Sequence, residues 1–284
     1  LKKQHNYSIL HITDQEQAHL IPENCPLSVV VTVHDLFHFF PERINIGGTS
    51  IEIGEQNPRW YRRRDLVKLR TGLARADLLV CDSQATLLAC QKHFPNVNSV
   101  CVPLGLDVKS FAPMNQENAD VMAPASQLVK KCHLLIVGSH APRKRLQFLS
   151  QLLGELDEKV KQNIRVHHVG NDTCPYGGPS ASQLAQKYGL KNWTSHGGEL
   201  SSTALMHLRH ASEALLFPSA SEGFGYPPLE AMACGTPVLC SNLPSHNELM
   251  PEESCLRADD KDAWKEAILS VYSNWQSRTK KDET

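Results

Sequence analysis

Two glutamates, Glu222 and Glu230, stand eight residues apart in the run FPSASEGFGYPPLEAMACGTPVLCSN, residues 217–242. An apolar run ends at Phe217, glycines follow at 223 and 225, and Pro227 and Pro228 supply the fixed φ that suits a helix start. This order predicts strand, turn and short helix, with Glu222 on the loop, Glu230 in the first helical turn and Gly235 closing the helix. The unpaired N–H groups of a helix start, with the positive end of its dipole, make an anion site. Carboxylates beside it suit polyol hydroxyls, which need acceptors. Taken singly, Glu230 is explained by dipole complementarity and Glu222 by an exposed loop charge. Glycines that let backbone approach a ligand closely make those separate explanations poor ones.

The elements needed to position such a site are legible on either side of it. Ser28–Val33 reads as a buried strand, and so do 78–81, 100–102, 134–137, 166–169, 214–217 and 238–240. Helical patterns fall between them, at 65–76, 85–93, 146–156, 181–188, 201–210, 228–234 and 261–275. Alternation of this kind predicts an α/β fold, with parallel sheets covered by helices on both faces. The polar, Pro-containing stretch 112–127 reads as a linker. It divides the chain into two Rossmann-like domains, 1–125 and 126–284. The first has only about three strands before the linker, so it is expected to be incomplete by roughly two βαβ units. Ligands of open α/β sheets bind outside the carboxyl ends of strands, which is where the two glutamates fall.

Composition narrows the classes. The 284 residues carry 29 Lys+Arg against 30 Asp+Glu, a net charge of −1, without the basic excess of a nucleic-acid binder. The nine cysteines form no CxxC pair, and several sit in apolar runs, which fits a reducing, cytoplasmic setting. The pairs His34/His38 and His207/His210 lack an HExxH or a nearby Cys set, so no metal is expected. GxGxxG, GxxxxGK[ST] and GxSxG are absent, which removes the dinucleotide, P-loop and α/β-hydrolase readings.

The run EGFGYPPLEAMACGTPV resembles the Glu-x7-Glu signature of the retaining GT-B glycosyltransferases of family 4, the group 1 transferases. IVGSHAPRKRL (136–146), VVVTVHDLFHFFPE (29–42), VCDSQAT (80–86) and VPLGLD (102–107) resemble further segments of that family in order. The resemblance implies two facing Rossmann-like domains, acceptor-side first and donor-binding second. It implies that Glu222 contacts the donor sugar and that Glu230 binds the nucleotide ribose. Gly223, Phe224 and Gly225 would offer amides to the sugar and diphosphate, Arg143 and Lys144 would neutralise the diphosphate, and His34 would act from across the cleft. The adjacent acid, Asp35, is expected on chemical grounds to orient the His34 ring. Ser139 stands where many members carry Arg, and Tyr226 where an aliphatic residue is more usual. Fixed cations and amides that meet a departing diphosphate remove the need for a divalent metal.

The expected function is therefore retaining, metal-independent transfer of a hexose, mannose or glucose, from a nucleotide-diphosphate sugar to an acceptor hydroxyl, with no cofactor. The acceptor is a glycan, a lipid or a small molecule. Nucleic acid is not a partner, and peripheral membrane association is. Two alternatives stay open: a non-catalytic fragment or degraded homologue that binds nucleotide sugar, and a glycosidase using Glu222 and Glu230 as its acid–base pair.

Overall fold

The structure, a computed structural model, describes residues 7–111, 131–175, 177–198 and 200–282. The expected linker, 112–127, lies outside the described residues. Among them are two parallel sheets and one hairpin.

The first sheet has the order β1-β2-β5-β6, formed by β1 (Ile9–Ile12), β2 (Ser28–Val33), β5 (Leu78–Cys81) and β6 (Asn98–Cys101). It has four strands rather than three, because Ile9–Ile12 pairs in register with 28–31 of β2. Along β2, Val29, Val31 and Val33 are buried while Val30 and Thr32 are half-buried. Helices α1 (Trp60–Leu73) and α2 (Gln84–His93) contribute Leu66, Leu69, Leu73 and Cys90 to the core on that buried side. Period-2 burial in β2 marks one fully covered face and one partly covered face.

Between β2 and α1 lies a hairpin of β3 (Glu42–Ile46) and β4 (Thr49–Ile53), absent from the strands expected above. Its turn is Gly47-Gly48, at φ +56° and +77°, the left-handed pair that a two-residue hairpin turn requires. Ile51 and Ile53 anchor it against Ala220 of the second half.

The second sheet, with the order β12-β11-β10-β7-β8-β9, is formed by β7 (Cys132–Val137), β8 (Ile164–Val169), β9 (Trp193–Ser195), β10 (Ala214–Phe217), β11 (Val238–Ser241) and β12 (Cys255–Leu256). Here both faces are covered, as continuous burial along β7 and β10 requires. Leu134 faces a cluster with Leu149 and Leu153 of α3 (Leu146–Gly154). The same cluster takes Ala185 from the later helix 181–187 and Trp264 from the long helix 261–282. Leu135 faces the opposite cluster, with Phe217, Leu208 and Ala231. The short α4 (Glu158–Asn163) leads into β8, and α5 (Ala181–Lys187), α6 (Ser202–His210), α7 (Tyr226–Ala233), α8 (Pro244–Asn247) and α9 (Lys261–Asp282) follow in turn. Strand order reverses between β7 and β10. That switch point opens a crevice at the carboxyl ends of those two strands, the general ligand position in such sheets.

Candidate active site

At the end of β7, Gly138 sits at φ +143°, and a Cβ there would meet the Lys144 Cε at 3.3 Å. The missing side chain lets the Lys144 stem lie over the strand end. Residues Pro142–Lys144 then form one 3₁₀ turn, followed by Arg145 in the left-handed region at φ +53°. Arg145 is buried, with its guanidinium over the Phe148 ring at 4.1 Å and an Nη1 bond to the Pro218 carbonyl at 3.3 Å. Burial lowers its pKa to about 10.

This turn is stitched to the loop after β10. Ala220 N–H donates to the Arg143 carbonyl at 2.7 Å, and Arg143 Nη1 donates to the Ser221 carbonyl at 2.9 Å. Glu222 is thereby clamped: Oε2 lies 2.8 Å from Arg143 Nη1 and Oε1 2.7 Å from Lys144 Nζ. The Glu222 side chain is only 8 % exposed. Burial pushes its pKa up, yet Lys144 and then Arg143 outweigh that and hold it at about 2. Burial likewise lowers the Lys144 pKa, against the opposing pull of Glu222. Glu222 is thus a buried, doubly paired carboxylate and not an exposed loop charge.

Helix α7 begins at Tyr226, capped by Gly225 at φ +114°. Its start is one residue ahead of the Pro pair, so Glu230 falls in the second turn, not the first as expected. Dipole complementarity is a correspondingly weaker account of it, since that effect fades beyond the first turn. Its carboxylate Oε2 instead pairs with the buried Arg209 of α6, whose Nε–H has no hydrogen-bond partner among the described residues. Arg209 was not singled out from sequence, because the pairing joins two helices across 21 residues of chain.

Gly223 is pressed against the first half of the molecule. A Cβ there would lie 2.1 Å from the His34 carbonyl oxygen, so no other residue fits without moving the backbone. Its carbonyl accepts from Ser83 Oγ at 2.5 Å and from Thr86 Oγ1 at 3.3 Å. Among the described residues, no hydrogen bond engages the amides of Gly223, Phe224 or Gly225. Phe224 is buried, edge-on to Tyr226 at 5.2 Å, and Tyr226 donates its hydroxyl to the Gly105 carbonyl at 3.1 Å.

His34, at the end of β2, faces the same loop. Its Nδ1 lies 2.6 Å from Asp82 Oδ2, and its Nε2 lies 3.2 Å from the Thr13 carbonyl. Burial lowers its pKa, but the Asp82 contact reverses the sign and leaves it raised. Asp35 does not orient the ring, contrary to the expectation. Its Oδ1 accepts from the Phe37 amide at 3.1 Å. Asp82 was missed because its partner lies 48 residues away. Glu248 was missed likewise: its carboxylate accepts from the Gln84 and Ala85 amides, at 2.8 and 3.0 Å, at the start of α2. Glu222, Arg143 and Lys144 are thus joined directly. Gly223 is brought against His34, while Glu230 is held on α7 by a separate ion pair.

Residues 123–284 match the family model of the glycosyl transferases group 1. Over 243 residues the chain is 40 % identical to the serotype-specific mannosyltransferase WbdA of Escherichia coli, covering 82 % of this chain and 28 % of that protein. It is 36 % identical over 93 residues to the O-antigen chain mannosyltransferase RfbU of Salmonella typhimurium, covering 32 % of this chain and 26 % of that protein. The chain thus spans about a quarter of the length of these two relatives. Among solved structures, sucrose-phosphate synthase from Thermosynechococcus elongatus superposes with a TM-score of 0.69 at 21 % identity, over 95 % of this chain and 65 % of that one. The fold is the two-sheet GT-B architecture. The chain belongs to the glycosyl transferases group 1 family.

Proposed function

We propose that the protein is a retaining, metal-independent mannosyltransferase, moving mannose from a nucleotide-diphosphate donor to an acceptor hydroxyl. The observation that carries this reading is the clamp of Arg143 and Lys144 around Glu222, at the switch point and beside the start of α7. A diphosphate entering that crevice meets two fixed cations and the amides of Gly223, Phe224 and Gly225. These groups stabilise the charge that develops on the leaving phosphate more than they stabilise the ground state. Glu222 then turns from its cations to the donor sugar. Glu230, gripped at Oε2 by Arg209, presents Oε1 to the ribose. The acceptor oxygen bonds to the anomeric carbon on the face that the diphosphate oxygen leaves, and its proton passes to that oxygen. His34, set by Asp82, lies on the acceptor side. Mannose is chosen over glucose because WbdA and RfbU are both named mannosyltransferases.

In this reading residues 1–125 form the acceptor-side domain and 126–284 the donor domain, with no metal or cofactor beyond the donor. The nine free cysteines favour a cytoplasmic site of action. Among the described residues no helix is long and apolar enough to cross a membrane. One face of α1 supports peripheral association instead. Trp60 and Val67 are 70 % and 59 % exposed, and Arg63, Arg64 and Lys68 are exposed on the same stripe. Such a basic-aromatic stripe suits an anionic lipid surface.

A thermal-shift screen against UDP, GDP, ADP and their sugar conjugates tests the donor assignment, since a specific ligand stabilises by mass action. GDP and GDP-mannose are expected to give the largest shifts. The absence of a shift with every nucleotide would overturn the reading.

A further inference from the structure

Three cavities lie side by side where the first half of the molecule meets the loop after β10 and the turn 142–144, the outer two of them beneath the β3–β4 hairpin. The first, about 200 Å³, lies mainly against α2, lined by Ala85, Ala89, Lys92 and His93 together with Asp35, Phe37 and Glu222. The second, about 270 Å³, is again lined by Asp35 and Phe37, with His38, Glu52 and Arg143. The third and largest, about 420 Å³, shares Ala141 and Pro142 with the second, and adds Thr49, Ser50, Gln147 and Gln151. Its volume is in the range that encloses small molecules. The shared walls make one track, running from the clamped glutamate outward under the hairpin.

The hairpin is what creates the outer part of this track. A parallel β2-to-β5 crossover needs only a helix, which α1 supplies. The hairpin is an addition, anchored by Ile51 and Ile53, and β4 faces the turn 142–144 of the second half. Residues 49–51 of β4 line the third cavity and Glu52 lines the second.

The chemistry of the walls changes along the track. Two carboxylates line the middle cavity, Asp35 and Glu52, the latter paired with Arg43 at 2.8 Å, and its one guanidinium, Arg143, is engaged by Glu222. Carboxylates accept hydroxyl hydrogen bonds and repel phosphate. No carboxylate lines the third cavity. Its polar groups are two hydroxyls, two primary amides and His140, beside the apolar Ile51, Leu146 and Phe148. Its only cation, Arg145, is committed to the Phe148 face and the Pro218 carbonyl. Neutral donors and acceptors interleaved with apolar surface match a sugar ring, which presents both hydroxyls and C–H faces.

We infer that this track is an extended acceptor site for an uncharged oligosaccharide of three or more residues, with the third cavity as its distal subsite. The enzyme then elongates an existing glycan and discriminates against monosaccharides and phosphorylated primers. This inference rests on the glycosyltransferase reading above, and it assigns the β3–β4 hairpin as the element that sets acceptor length.

An array of neutral and phosphorylated glycans, one to six residues long, probed with the full chain in the presence of GDP, tests it. Neutral glycans of three or more residues should bind about tenfold more tightly than their mono- and disaccharide counterparts, and phosphorylated ones should bind weakly. Gln147→Ala with Gln151→Ala, and separately Ser50→Trp, should remove the preference for length while leaving the thermal shift with GDP unchanged. Equal affinity at every length, a preference for phosphorylated glycans, or no glycan captured while GDP still stabilises the protein would each overturn the acceptor track and leave the donor reading standing. Absence of a shift with every nucleotide in the unaltered protein would overturn the donor reading itself.

Discussion

Lys144 has two partners in prospect, Glu222 in the structure and a diphosphate in the proposed reaction. Lys144→Ala should weaken nucleoside diphosphate binding by about 1.5–3 kcal/mol, the scale of a charged hydrogen bond, with little change for the nucleoside. Calorimetry with GDP and guanosine separates the two, and equal losses would indicate local misfolding. Glu222 carries a pH signature. Its pKa is depressed from 4.5 to about 2, so the stability it contributes is complete above pH ~4.5 and is lost as pH falls towards 2. That contribution is about 3 kcal/mol at most, from the size of the depression. Urea unfolding from pH 6 to 2 should show the loss in the parent. Glu222→Gln should flatten that dependence while lowering stability at pH 7, because it strands Arg143 and Lys144 without their carboxylate. These residue types and their order could be read from sequence, because glycines, prolines and neighbouring charges act locally. Their pairings could not. The partners of His34 and Glu230 lie 48 and 21 residues away, so only the packed sheets bring them together.

At the scale of elements, the buried strands were the most legible part. Continuous apolar runs such as 134–137 and 214–217 became the central strands of the second sheet, because a strand covered on both faces has no polar positions. The hairpin was passed over although its signal is present: INI and TSIEI alternate around Gly47-Gly48. Its short alternation was overshadowed by the longer patterns on either side. The start of α1 was also misplaced, at 65 rather than 60, because Trp60 to Arg64 offers no buried face by which to recognise a helix. That exposed first turn carries Trp60, Arg63 and Arg64 of the basic-aromatic stripe proposed to meet lipid. Co-sedimentation should be strong with phosphatidylglycerol vesicles and weak with phosphatidylcholine. It should fall at least fivefold in Trp60→Ala combined with Arg63→Glu, and fall with added salt, as screened electrostatics requires. Equal binding to both lipids would argue against the basic stripe.

Across the whole molecule, the contacts that join the two halves include Gly223 against His34, Ser83 on the Gly223 carbonyl, and Glu248 on the first amides of α2. The last of these means that a helix in one half is finished by a carboxylate from the other. Separating the halves therefore also unfastens a helix end, and capping interactions of this kind are worth about 0.5–2 kcal/mol. Glu248→Gln should lower overall stability by an amount in that range, measured by urea unfolding. The two amides also become a built-in clock. Gln84 and Ala85 can exchange their hydrogens with solvent only in the fraction of time that Glu248 is away, so their exchange rates count the openings of the crevice. A donor that holds the halves together should slow exchange at those two positions, some distance along the chain from any group that touches it.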